Sequence, residues 1–110
     1  MKNRSKQIKS SKLQKLVRSK ILRAFPHLKQ KDVACAKEGI SGPDILLSRI
    51  AKKLCPYQFE IKAQNRMRTM WKWYKQASKN TRLNPVVIAK SNSRDPLVLI
   101  DLDHFFDLIK

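Results

Sequence analysis

The stretch from Gly42 to Lys62, GPDILLSRIAKKLCPYQFEIK, constrains the chain most, because it sets charged residues inside segments that otherwise read as buried strand. A carboxylate or ammonium in such a place is costly unless it is paired, hydrogen-bonded or bound to a metal. From Asp44 to Ser48 the residues alternate, with Asp44, Leu46 and Ser48 on one face and Ile45 and Leu47 on the other. Arg49 to Leu54 reads as a short basic turn or hairpin connection, closed by Pro56. Tyr57 to Ala63 reads as a second strand with Tyr57, Phe59 and Ile61 on its inner side. Gln58, Glu60 and Lys62 then point the other way, and Glu60 and Lys62 lie roughly 7 Å apart along the strand. If the two strands pair, Asp44 faces both.

The remaining chain supplies a frame. Leu13, Leu16, Val17, Ile21, Ala24 and Phe25 recur at helical steps, which predicts an amphipathic helix from Lys12 to Phe25 ended by Pro26. Residues 1–12, basic and without an acid, are expected to form a flexible arm that contacts phosphate, with residues 13–110 as one domain. Residues 26–43 read as loop, punctuated by Gly39, Gly42 and Pro43. A helix is expected from Asn65 to Asn80. Its inner stripe is Met67, Met70, Trp71, Tyr74, Ala77 and Ser78, a pattern that core packing explains most simply. Asn84 to Lys90 and Pro96 to Leu102 read as a hairpin around SNSRD, and Asp103 to Lys110 as a closing helix capped by Asp101 or Asp103. The resulting order is helix, strand, strand, helix, strand, strand, helix. It predicts an α/β fold with a four-stranded mixed β-sheet flanked by α-helices, and a right-handed crossover from Tyr57 to Lys90.

The net charge of +17 on 110 residues implies a polyanionic partner. Nucleic acid is the first expectation and an acidic membrane surface a distant second. No apolar run reaches the length of a membrane span, and the basic start lacks the apolar core of a secretory signal. Cys35 and Cys55 have no partner at metal-ligand spacing, so free thiols in a reducing intracellular compartment are expected.

A carboxylate from each of two strands can hold a hard divalent cation, and the backbone carbonyl of Ile61 is placed to add a ligand. Lys62 on the same face is placed to orient a water or steady the hydroxide formed from it. Such a set suits hydrolysis of a phosphodiester. The plainer account is a lateral Glu60–Lys62 salt bridge and a turn aspartate at Asp44.

Pro43-Asp44 followed by Glu60-Ile61-Lys62 resembles the PD-(D/E)XK nuclease superfamily, whose restriction-endonuclease-like core has the same element order. The chain is most similar to small phage-type Holliday junction resolvase-like endonucleases. The similarity lies in Gly39 to Ser48 (GISGPDILLS), Phe59 to Lys62, Trp71 with Gln76-Ala77, Pro85-Val86-Val87 and Pro96-Leu97-Val98. The resemblance implies Asp44, Glu60 and the Ile61 carbonyl as ligands of Mg²⁺, with Mn²⁺ as a substitute, Lys62 as the catalytic lysine and Gln76 as an accessory polar residue. Lys12, Lys15, Arg18, Ser48, Arg66 and Arg68 are the expected DNA contacts. Many relatives carry a glutamate on the first helix. Here Gln14 is the only candidate for that position, which points to a single metal ion. The implied substrate is branched DNA such as a four-way junction, cut by a homodimer in the cytoplasm of a host cell if the gene is a phage's. The alternatives are a nicking, general or end-processing nuclease, and a nucleic-acid-binding module without catalysis.

Overall fold

The computed structural model describes residues 2–110, with side chains from residue 9 onward. Met1 and the side chains of residues 1–8, all within the expected basic arm, lie outside the described residues. The chain divides into two compact units, Met1–Gln64 with Ile109–Lys110, and Asn65–Leu108. Each is mixed helix and strand with its own two-stranded antiparallel sheet. The α/β class is as the sequence implied. The strands are arranged as two separate pairs among the described residues, where one sheet of four was expected.

In the first unit, α1 runs Lys2–Ala24, so residues 2–12 continue the helix where an arm was expected. The reason is composition: Lys, Gln, Arg and Leu are good helix formers, and no Gly or Pro intervenes before Pro26. The last turn is closed by the Phe25 N–H donating to the Ile21 carbonyl at 3.0 Å. Val17, Ile21 and Phe25 are buried together with Leu28, Val33, Ile45, Ala51 and Cys55. Two of these come from the short strands β1, Val33–Cys35, and β2, Ile45–Leu47, paired with Cys35 opposite Ile45. β1 falls in a segment that reads as loop, because the four residues between Asp32 and a Lys-Glu-Gly run are too few to show a period.

Arg49–Leu54 is a helix, α2, and not the expected turn. Ser48 starts it: its hydroxyl oxygen accepts the Ala51 N–H at 3.2 Å. The same hydroxyl donates to Asp32 Oδ1 at 2.8 Å, while the Lys29 N–H donates to Asp32 Oδ2 at 2.8 Å. Ser48, an expected phosphate contact, thus has its hydroxyl in two internal hydrogen bonds. These hydrogen bonds hold the Asp32 carboxyl below the ordinary carboxylate range, the Lys29 N–H contributing most and Ser48 next. A lowered folded-state value means the stabilisation is complete above that range and is lost as pH falls through it. Ser48→Ala is therefore expected to cost about 1 kcal/mol at neutral pH through the lost cap. Its stability should also depend less steeply on pH in the acid range than the wild type's, as read from urea melts at pH 7 and pH 3.

In the second unit, α3 spans Arg68–Ser78, and β3, Val87–Ala89, pairs with β4, Leu97–Leu99, across the expected Ser91–Arg94 turn. The closing helix α4 spans Leu102–Ile109. Of the two candidate caps, Asp101 serves: its Oδ1 accepts the His104 N–H at 2.9 Å. Its Oδ2 accepts the Tyr74 hydroxyl at 2.9 Å, which pins α3 to the start of α4. The His104 and Tyr74 donors hold Asp101 below the ordinary range, and the same bond to Asp101 pushes the Tyr74 hydroxyl up. The α3 stripe is not a closed core. No residue of that helix is buried, and Met70, Trp71 and Trp73 are exposed. Among the described residues, no helix is long and apolar enough to cross a membrane.

Candidate functional site

Asp44 sits at the entry to β2, directly after the turn that joins the two strands. Gly42 makes the approach possible, with φ of +122°, a backbone region that side-chain-bearing residues rarely adopt. Four hydrogen bonds then fix Asp44. Its carbonyl accepts the Ala36 N–H at 3.0 Å and the Gln14 Nε2 amide at 2.6 Å. Its own N–H donates to the Phe59 carbonyl at 3.2 Å, and its Oδ2 accepts the Ile61 N–H at 2.6 Å.

The last two bonds explain why the expected strand from Tyr57 to Ala63 makes no strand ladder. In a parallel ladder, one residue's N–H and C=O bond to the two neighbours of the residue opposite. Here the Asp44 N–H takes Phe59, but the Ile61 N–H goes to the Asp44 carboxylate, because Gln14 and Ala36 already occupy the Asp44 carbonyl. The arrangement is a parallel bridge with one carbonyl replaced by a side chain. Glu60 is the residue opposite Asp44.

The expected alternation holds from Phe59 onward, where Phe59, Ile61 and Ala63 are partly covered and Glu60 and Lys62 are exposed; Tyr57, expected on the inner side, is exposed. Lys62 Nζ lies 3.2 Å from Glu60 Oε1, with both side chains 65% exposed. An ion pair so exposed contributes little to stability. It keeps the two functional groups side by side, and it places the Lys62 amine in solvent and not in packed hydrocarbon. Ile61 was expected to offer its carbonyl to a metal; the contact the structure gives it to Asp44 is through its N–H.

A cavity of about 580 Å³ opens beside Asp44, lined by Ser10, Ser11, Gln14, Lys37, Glu38 and Ile61 among others. Glu60 does not line it. Glu38 is a carboxylate that no sequence pattern singles out, since it lies in a loop with no periodicity to mark it. Gln14 acts as a clamp. Its Nε2 also donates to the Ala36 carbonyl at 3.0 Å, so one amide bridges two backbone carbonyls. A glutamate there would present an acceptor to two acceptors, which accounts for an amide at this position. Among the described residues, no three His, Cys, Asp or Glu side chains gather as a metal-binding group.

The expected DNA contacts divide. Lys12 and Lys15 are exposed on α1, and Arg66 and Arg68 are exposed in the second unit. Arg18 is used internally: Nε donates to the Val33 carbonyl at 2.6 Å and an Nη to the Gln30 carbonyl at 2.8 Å. Its guanidinium ties α1 to the start of β1. Gln76 is exposed on α3 in the second unit. Both cysteines are free thiols, and burial pushes the Cys55 thiol up. Comparison with family models, with curated proteins and with solved structures finds no match.

Proposed function

We propose that the protein is a metal-dependent DNA endonuclease of PD-(D/E)XK type acting on branched DNA. One observation carries the reading: Asp44, through its N–H and its carboxylate, holds the segment 59–61 alongside itself so that Glu60 stands opposite and Lys62 beside it. The donor set suits Mg²⁺. That ion binds through one or two carboxylates and keeps water and phosphate oxygens for its other positions, so Asp44, Glu60 and the Ile61 carbonyl would suffice as the protein's share. When bound, such an ion supplies charge relief at phosphorus and an acidified water. Lys62 orients the attacking water through its ammonium protons, and Glu60 fixes the position of that ammonium. Asp44, tied at both backbone and side chain, keeps the two segments in register. Gln76 is the accessory residue this reading adds, and the four-stranded nuclease core is its implied architecture.

The charge of +17 supports nucleic acid as partner, and basic residues spread along the whole sequence favour contact with the backbone over base reading. Symmetric cutting of a four-way junction needs two sites, hence a twofold homodimer. The experiment is a cleavage panel of four-way junction, flap, duplex and single strand, with Mg²⁺ and with chelator. The expected result is cleavage of the junction above all others, abolished by chelator. Binding measured without metal should weaken by orders of magnitude between about 50 and 200 mM salt. Binding without cleavage on any substrate would leave a nucleic-acid-binding module.

A further inference from the structure

Helix α3 carries a surface that the cleavage chemistry does not use. At roughly 100° per residue, Arg68, Lys72, Lys75 and Lys79 fall in one arc of the helix, and Met70, Tyr74 and Ala77 fall opposite. Trp71 stands on the boundary between the two arcs. It is 60% exposed, although tryptophan is ordinarily largely covered. It is also held: the Tyr74 ring meets it edge-on at 5.7 Å and 82°, and Tyr74 is anchored in turn by its bond to Asp101. A shallow depression of about 480 Å³ runs along this face, lined by Arg68, Trp71, Lys72, Lys75, Gln76 and Lys79. No acid occurs anywhere between Ile61 and Arg94. Among the described residues, none of the four cations makes an ion pair. An oriented indole beside uncompensated cations at helical spacing is complementary to a base stacked on a ring with its flanking phosphates on the cations.

We infer that the α3 face binds an unpaired segment of single-stranded DNA, with one base stacked on Trp71 and the adjoining phosphates on Arg68, Lys72 and Lys75. The inference rests on DNA being the partner, but not on cleavage. It gives the protein a means of preferring junctions, flaps and gaps, where bases are accessible, over continuous duplex.

The test is binding in chelator, so that no cleavage intervenes, to an oligodeoxythymidine of about 12 nucleotides, to an abasic strand of equal length, and to duplex. Trp71→Ala is expected to weaken binding to oligodeoxythymidine about tenfold, while leaving the abasic strand and the duplex within about twofold. Trp71→Phe, which keeps a ring, should retain most of the affinity. Lys75→Ala should weaken all three ligands alike and lower the salt slope by about one. Equal loss on the abasic strand, or no loss with Trp71→Ala, overturns the stacking assignment and leaves the cleavage reading intact. Failure of metal-dependent cleavage in the wild type removes the nuclease reading and leaves the stacking result standing.

Discussion

Asp44→Asn is expected to lower Mg²⁺-dependent DNA cleavage by at least about two orders of magnitude, with DNA affinity unchanged or slightly raised. The substitution is chosen because asparagine has the shape of aspartate and retains an oxygen for the Ile61 N–H. The backbone bonds to Ala36, Gln14 and Phe59 do not involve the side chain and should persist. What disappears is the negative charge, which the proposed ion requires and the fold does not. The net charge rises by one, which favours a polyanion. Glu60→Ala and Lys62→Ala should give comparable losses of cleavage for different reasons. The first removes a ligand and releases the Lys62 ammonium from its 3.2 Å partner; the second removes the group that positions water. Because both side chains are largely exposed, neither change should shift the melting temperature by more than a degree or two, on the order expected for surface substitutions. The three variants should bind a junction in chelator as the wild type does. Undiminished cleavage by Asp44→Asn would place the chemistry elsewhere, and the exposed pair at 60 and 62 would then be an ordinary surface ion pair.

Much of this site could be read from the sequence because its spacing is local. Glu60 and Lys62 share a face by strict alternation, and that alternation survives even where no ladder forms. The proximity of Asp44 was legible for a similar reason, through the Pro-Asp at the head of an apolar run. The manner of contact was not. That the Asp44 carboxylate accepts the Ile61 N–H depends on Gln14 reaching in from α1 to occupy the Asp44 carbonyl, a coincidence of three distant segments. The capping by Ser48 was not legible for a different reason: a serine fits an alternating strand and a helix cap equally well, and only the following Arg-Ile-Ala-Lys-Lys-Leu, a good helix former, favours the cap. β1 was invisible because three residues carry no period. In the second unit the hairpin and the turn were legible from turn residues and short-range signals, and the cap was narrowed to Asp101 or Asp103. The exposure of the α3 stripe was not. Periodicity shows which residues share a face, whereas burial depends on what the rest of the chain brings to that face.

The largest effect on stability is expected from Ile21→Ala. Ile21 and Val33 are both 0% exposed, and Val17 and Ile45 are close to it, so truncation leaves a cavity where α1 meets the β1–β2 pair. Changes of this kind cost about 2 to 5 kcal/mol, a large part of the stability a core this small can have. Leu16→Ala on the same helix is the control: Leu16 is 45% exposed, and its loss should cost much less. The consequence reaches the candidate site through helical phase. Gln14, Val17 and Ile21 lie on one face of α1, so the stripe that is buried against Val33 also carries the amide that bridges Ala36 and Asp44. Ile21→Val, a loss of about 1 kcal/mol, should preserve that bridge and with it the cleavage activity per folded molecule. Ile21→Ala should lower the urea midpoint sharply and reduce activity even where the protein remains folded, because α1 can then settle without Gln14 in register. A midpoint unchanged by Ile21→Ala would mean that α1 is not packed on the sheet in solution. The Asp44 carbonyl would then lose the Gln14 amide and keep the Ala36 N–H, and the bridge that ties α1 to the candidate site would be absent.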